Sequence, residues 1–92
     1  MSDNYANFHE QWPVICKKYE IEMSKPIISE SQVFRTAIVD NRFVTIDLLS
    51  NKLEFDDHNK IAYSTEIDRV YLSRSACIIM RFLKFNELPK KY

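Results

Sequence analysis

The chain contains no glycine in 92 residues, where ordinary usage of about 7% would supply roughly six. Backbone that must adopt positive φ, or approach a ligand closely, normally uses glycine because it has no Cβ to clash. Phosphate-cradling loops and dinucleotide fingerprints depend on that freedom, so Walker-type and Rossmann-type sites have no candidate here. No cofactor is expected. Tight turns must fall instead on Asn and Asp, which tolerate the left-handed region. Asp40-Asn41 and Ser50-Asn51 separate alternating apolar runs and read as two-residue hairpin loops.

Those loops predict a sheet with runs at 32–39, 42–49, 52–55 and 60–63. With Asp40-Asn41 as a loop, Val39 faces Arg42 and Ala37 faces Val44. With Ser50-Asn51 as a loop, Leu48 faces Leu53 and Ile46 faces Phe55. Both registers gather Val33, Ala37, Val39, Val44, Ile46, Leu48, Leu53 and Phe55 on one face. The other face collects Phe34, Thr36, Ile38, Phe43, Thr45, Asp47 and Leu49. At Asp56-Asp57-His58-Asn59 an odd loop length or a bulge is needed to keep Ile61 and Tyr63 on the core face.

One helix is predicted before this meander in the chain and one after it, with one or both on the aliphatic sheet face. Tyr5, Phe8, Trp12, Ile15, Cys16, Tyr19 and Met23 form a helical stripe, ended by Ser24-Lys25-Pro26. Pro13 predicts either a kink or a short first turn followed by a new helix. Thr65-Glu66-Ile67-Asp68 matches a capping box, but the apolar spacing favours an extended chain to about Leu72 and a helix over 75–87, ended by Leu88-Pro89. Ala76, Ile78, Ile79, Met80, Phe82, Leu83 and Phe85 cover more than half of that helix's circumference. It should therefore be covered on two sides. The expected fold class is α+β, a single domain over 1–92 with flexible tails at 1–3 and 89–92.

The formal net charge of zero is a cancellation of two blocks. Residues 1–68 carry net −5, whereas 69–92 carry Arg69, Arg74, Arg81, Lys84, Lys90 and Lys91 against Glu87 alone, net +5. A basic amphipathic helix and basic tail can complement the helix dipole and solubilise an apolar element. They can also meet an acidic protein surface or, as a second reading, the phosphates of a nucleic acid.

Chemistry-bearing clusters are sparse. Cys16 and Cys77 have neither a second Cys nor a His at metal-ligand spacing, and read as buried, reduced thiols. Pro13 stands where a His9-Glu10 zinc motif would need its second histidine. The 56–59 turn lacks the glycine and spaced glutamate of a calcium loop. His9 and His58 would serve a small metal-free hydrolase, the third reading, only if they converge. The opening Met1-Ser2-Asp3-Asn4 lacks the order of a secretory leader, and the longest apolar run, 76–80, is far short of a membrane span. A cytoplasmic protein is expected.

The sequence thus points to a non-enzymatic regulator or inhibitor that binds a protein partner with an acidic or mixed apolar surface, with homodimerisation open at this size. Its candidate contact residues are Phe34 and Phe43, side by side on the second sheet face, and Arg74, Arg81, Lys84, Phe85, Lys90 and Lys91 at the basic end.

Overall fold

The computed structural model describes residues 3–24, 32–68 and 70–89, with side chains described from Glu10 onward. Helix α1 (Asp3–Lys18) leads into strands β1 (Val33–Arg35), β2 (Arg42–Asp47), β3 (Lys52–Asp57) and β4 (Lys60–Glu66), followed by helix α2 (Leu72–Phe85). The strands form one antiparallel sheet in chain order. The expected α+β class, element order and meander are all present.

Helix α1 runs through Pro13 without interruption, so the missing proline N–H removes one backbone bond without dividing the element. It stops earlier than Met23. Glu20 takes the left-handed conformation, φ 58°, the Ile21 N–H donates to the Cys16 carbonyl at 2.8 Å, and the Glu20 N–H donates to that of Lys17 at 3.2 Å. This is a Schellman cap with glutamate where glycine is usual, and both apolar partners of the motif, Cys16 and Ile21, lie in the core. The released chain then runs beside β1. Met23 bridges Thr36, the Ser24 N–H donates to Arg35 O, and the Ala37 N–H donates to Glu22 O, each bond at 2.8 Å. The spacing from Tyr19 to Met23 mimics a helical step, but capping and sheet pairing end the helix first.

All three hairpins turn without glycine. Asp40 and Asn41 (φ 50° and 65°) form a two-residue turn closed by reciprocal Val39–Arg42 backbone bonds of 2.8 Å, as expected. The next pairs differ. Thr36 donates its N–H to Val44 O and its Oγ1 accepts the Val44 N–H, both at 2.9 Å, so the register slips by one and Arg35 stands opposite Thr45. Phe34 therefore lies opposite Ile46 and packs against the core. The second loop spans four residues, because Asp47 Oδ1 accepts the N–H groups of Leu49 and Ser50 and pairing resumes at Asp47↔Lys52. That two-residue shift preserves facing parity. Val44, Ile46, Leu48, Leu53 and Phe55 are buried as expected. In the third hairpin, His58 and Asn59 (φ 52° and 66°) make the turn, and the required bulge lies at Phe55/Asp56. It sets Tyr63 opposite Phe55, whereas Ile61, expected in the core, stands opposite Asp56 and is 60% exposed.

Helix α2 begins at Leu72, three residues before Ser75, and ends at Phe85, with Asn86 left-handed at its C-cap. The Thr65 capping box is not what starts it. Asp68 Oδ1 accepts the N–H groups of Val70 and Tyr71, and Ser75 Oγ accepts that of Asp68. Both helices contribute to one core with the inner sheet face: Trp12 and Cys16 from α1, and Leu72, Ala76, Ile79, Phe82 and Leu83 from α2. Phe55 meets the Phe82 ring edge-on at 5.3 Å.

Arg42 fixes the end of α2 to the sheet. It projects from the aliphatic face of β2, is 8% exposed, and donates from Nε to Phe82 O at 2.9 Å and from Nη2 to Leu83 O at 2.7 Å. Phe82 O also accepts the Asn86 N–H at 3.0 Å, so Arg42 shares that carbonyl with the C-cap, and a cation at the end of a helix also complements its dipole.

Two stability predictions follow from these elements. Arg42→Met should lower unfolding free energy by about 2–3 kcal/mol, the scale of losing hydrogen bonds from a charged donor. Arg42→Lys should recover less than half, since an ammonium lacks the fork that spans two carbonyls; urea unfolding measures both. Glu20→Gly should raise stability by about 1 kcal/mol by relieving left-handed strain, whereas Glu20→Ala should give no such gain in the same measurement.

Candidate interaction surface

The solvent side of α2 carries Arg74, Ile78, Arg81 and Phe85, spaced four, three and four residues apart, so they line up as one ridge. The buried arc of the helix, Leu72, Ser75, Ala76, Ile79, Phe82 and Leu83, lies on the other side. No acidic residue occurs between Leu72 and Phe85. Phe85 is 63% exposed, and Cys77 and Ile78 are half-buried. The sheet and α1 cover much of the broad apolar arc anticipated from the sequence, and this ridge is what remains.

The cations of the basic end are not equivalent. Arg74 sits 3.6 Å from the Asp68 carboxylate and 5.7 Å above the Tyr71 ring. Lys84 lies 3.8 Å from Glu20 Oε1, at the end of α1. Arg81 is exposed and has no ion pair among the described residues. Lys90 and Lys91 lie outside the described residues.

Phe34 and Phe43 do not form the expected aromatic pair. The one-residue slip in β1 moves Phe34 to the core side, while Phe43 stays on the outer face, half-buried, with the Arg35 guanidinium 4.8 Å from its ring centre. Arg42, adjacent to Phe43 in the chain, serves the core. Its position on the aliphatic face in step with Val44, Ile46 and Leu48 was the signal in the sequence, but which carbonyls it meets depends on where α2 ends.

A groove of about 610 Å³ opens between the C-terminal halves of the two helices, the 21–23 segment and the first hairpin. Cys16, Met23, Val39, Met80 and Leu83 contribute apolar surface; Lys17, Glu20, Glu22 and Lys84 supply balanced charge. Burial pushes the Cys16 thiol up to about 12 from an ordinary 9.0, which disfavours the nucleophilic thiolate.

The remaining polar cluster is a turn. His58 Nδ1 lies 2.5 Å from Asp57 Oδ1, and its side chain is exposed. Asp56 belongs to the outer face, and no three His, Cys, Asp or Glu side chains gather as a metal-holding group among the described residues. The backbone of His9 lies in α1, but its side chain is outside the described set, so the His9–His58 pairing has no geometry here. No helix among the described residues is long and apolar enough to cross a membrane.

Comparison of the chain with known protein families, curated proteins and solved structures gave no match.

The thiols give a direct chemical test. In the folded protein, Cys77 should react with a maleimide at least about tenfold faster than Cys16, because burial and the scarcity of thiolate both protect Cys16; mass spectrometry of partially labelled protein reads this. Because the folded pKa of Cys16 exceeds its unfolded value, its thiol contributes stability below pH 9 that is lost as pH rises toward 12. Cys16→Ala should flatten that part of the pH–stability curve relative to the native chain.

Proposed function

We propose that this chain is a small non-enzymatic cytoplasmic protein that regulates or inhibits a partner protein by occupying its surface. The observation that carries the reading is the α2 ridge, an acid-free helical face where Arg81 stands unpaired among the described residues and Phe85 is exposed. A cation beside an exposed aromatic suits a partner surface with carboxylates around an apolar centre. Arginine and aromatic residues are enriched among the groups that dominate protein interfaces. Arg74 and Lys84 widen the basic field, and Lys90 and Lys91 extend its charge along the sequence.

A nucleic-acid reading draws on the same cations. It is less well supported, because Arg74 and Lys84 already have carboxylate neighbours and phosphate recognition relies on several free cations acting together.

The test begins with affinity capture from the native host, identification by mass spectrometry, and titration of the purified partner. Arg81→Glu combined with Lys84→Glu should weaken that complex at least about tenfold while leaving the unfolding free energy within about 1 kcal/mol, the range of exposed ion pairs. Equal loss of stability and binding would make these residues structural. Tight DNA or RNA binding whose log–log salt slope approaches −0.9 for each phosphate contact would favour the nucleic-acid reading.

A further inference from the structure

The outer face of the sheet carries a motif that complements the α2 ridge. Backbone register aligns Phe43 of β2, Asp56 of β3 and Ile61 of β4 in one row across the strands. The row reads apolar, acidic, apolar, with the Arg35 guanidinium 4.8 Å from the Phe43 ring centre at its β2 end. Ile61 is 60% exposed, and Phe43 and Asp56 are half-buried. The neighbouring rows on β3 and β4 add Glu54 and Glu66 against Lys52 alone, so this half of the face is acidic.

On α2, Ile78, Arg81 and Phe85 read apolar, basic, apolar. The spacings agree. At 1.5 Å rise per residue, Ile78 and Phe85 stand about 10.5 Å apart along the helix, with Arg81 between them. Two inter-strand steps of 4.8 Å put Phe43 and Ile61 about 9.6 Å apart, with Asp56 midway.

We propose that α2 of one copy of this chain docks across the outer sheet face of a second copy, Ile78 and Phe85 lying against the Phe43 and Ile61 ends of the row and Arg81 against Asp56. The contact joins two different surfaces, so a pair of copies still has one ridge and one sheet face open, and association continues into chains or closes into a ring. Zero net charge removes the general repulsion that would oppose it. Edge-to-edge pairing through β4 is a poorer route to association, because the bulge at Phe55/Asp56 breaks that strand's alternation. The inference goes beyond the proposed function, since it concerns the chain alone and needs no other protein.

A charge swap tests it on the purified full-length chain by sedimentation velocity over a concentration series at low and moderate salt. Average mass should rise with concentration and fall with salt. Arg81→Asp alone and Asp56→Arg alone should each reduce the association constant about tenfold or more, with folding verified by circular dichroism. Mixing the two variants should restore complexes, because the acidic ridge of one then meets the basic sheet face of the other. If Asp56→Arg does not fold, Ile61→Gln replaces it as the sheet-face variant and should show the same loss. A native chain that stays monomeric throughout, association unchanged by the ridge or the sheet-face substitution, or a mixture of folded charge variants that stays monomeric would each overturn the proposal.

Discussion

The placement of α2 rests on one guanidinium. Arg42 leaves β2 on the aliphatic face and would be an unpaired buried charge if nothing received it. It is received by two carbonyls in the last turn of α2, those of Phe82 and Leu83. The hydrogen bonds suit both ends at once, since each carbonyl has two lone pairs, Phe82 O taking the Asn86 N–H as well, and the arginine has donors that burial removes from water. The bond to Phe82 O fixes the helix axially while its ring packs on Phe55. The buried arc of α2, Leu72, Ala76, Ile79, Phe82 and Leu83, sets which residues face outward, and the Arg42 bonds hold the end of the helix in that orientation.

A second constraint comes from building without glycine. Seven described non-glycine residues have positive φ: Glu20, Asp40, Asn41, Asn51, His58, Asn59 and Asn86. Five are Asn or Asp, the types that tolerate this region best. Glu20 and His58 are less expected. Each marks a place where the fold needs a sharp reversal, at the end of α1 and at the β3–β4 turn. Glu20 is held there by its Schellman bonds, and Lys84 stands opposite its carboxylate.

Much of the fold was legible because a sheet's facing parity survives errors of two. The second hairpin closes four residues rather than two, yet Ile46, Leu48, Leu53 and Phe55 are all buried. An error of one is not forgiven, and the slip at Thr36 moved Phe34 from the outer face to the core. No pattern of hydrophobicity announces a threonine hydroxyl that takes a strand's N–H. At the candidate surface, the basic character of the last helix could be read directly from its composition. The separation of Arg81 from Arg74 and Lys84 could not, because Asp68 and Glu20 reach those two from outside the helix.

The sequence by itself determined that phosphate-loop chemistry has no candidate, that the hairpins turn on Asn and Asp, that helices flank an antiparallel meander, and that charge divides into an acidic body and a basic end. These follow from residue identity and short-range periodicity, which act through local backbone sterics and side-chain spacing. Only the tertiary structure decided that Arg42 is a buried clamp, that Phe34 and Phe43 lie on opposite faces, and that Ile61 joins Asp56 in an exposed row. Those outcomes depend on strand register and on contacts distant in sequence, where a single hydroxyl or one bulged residue reverses what a side chain meets.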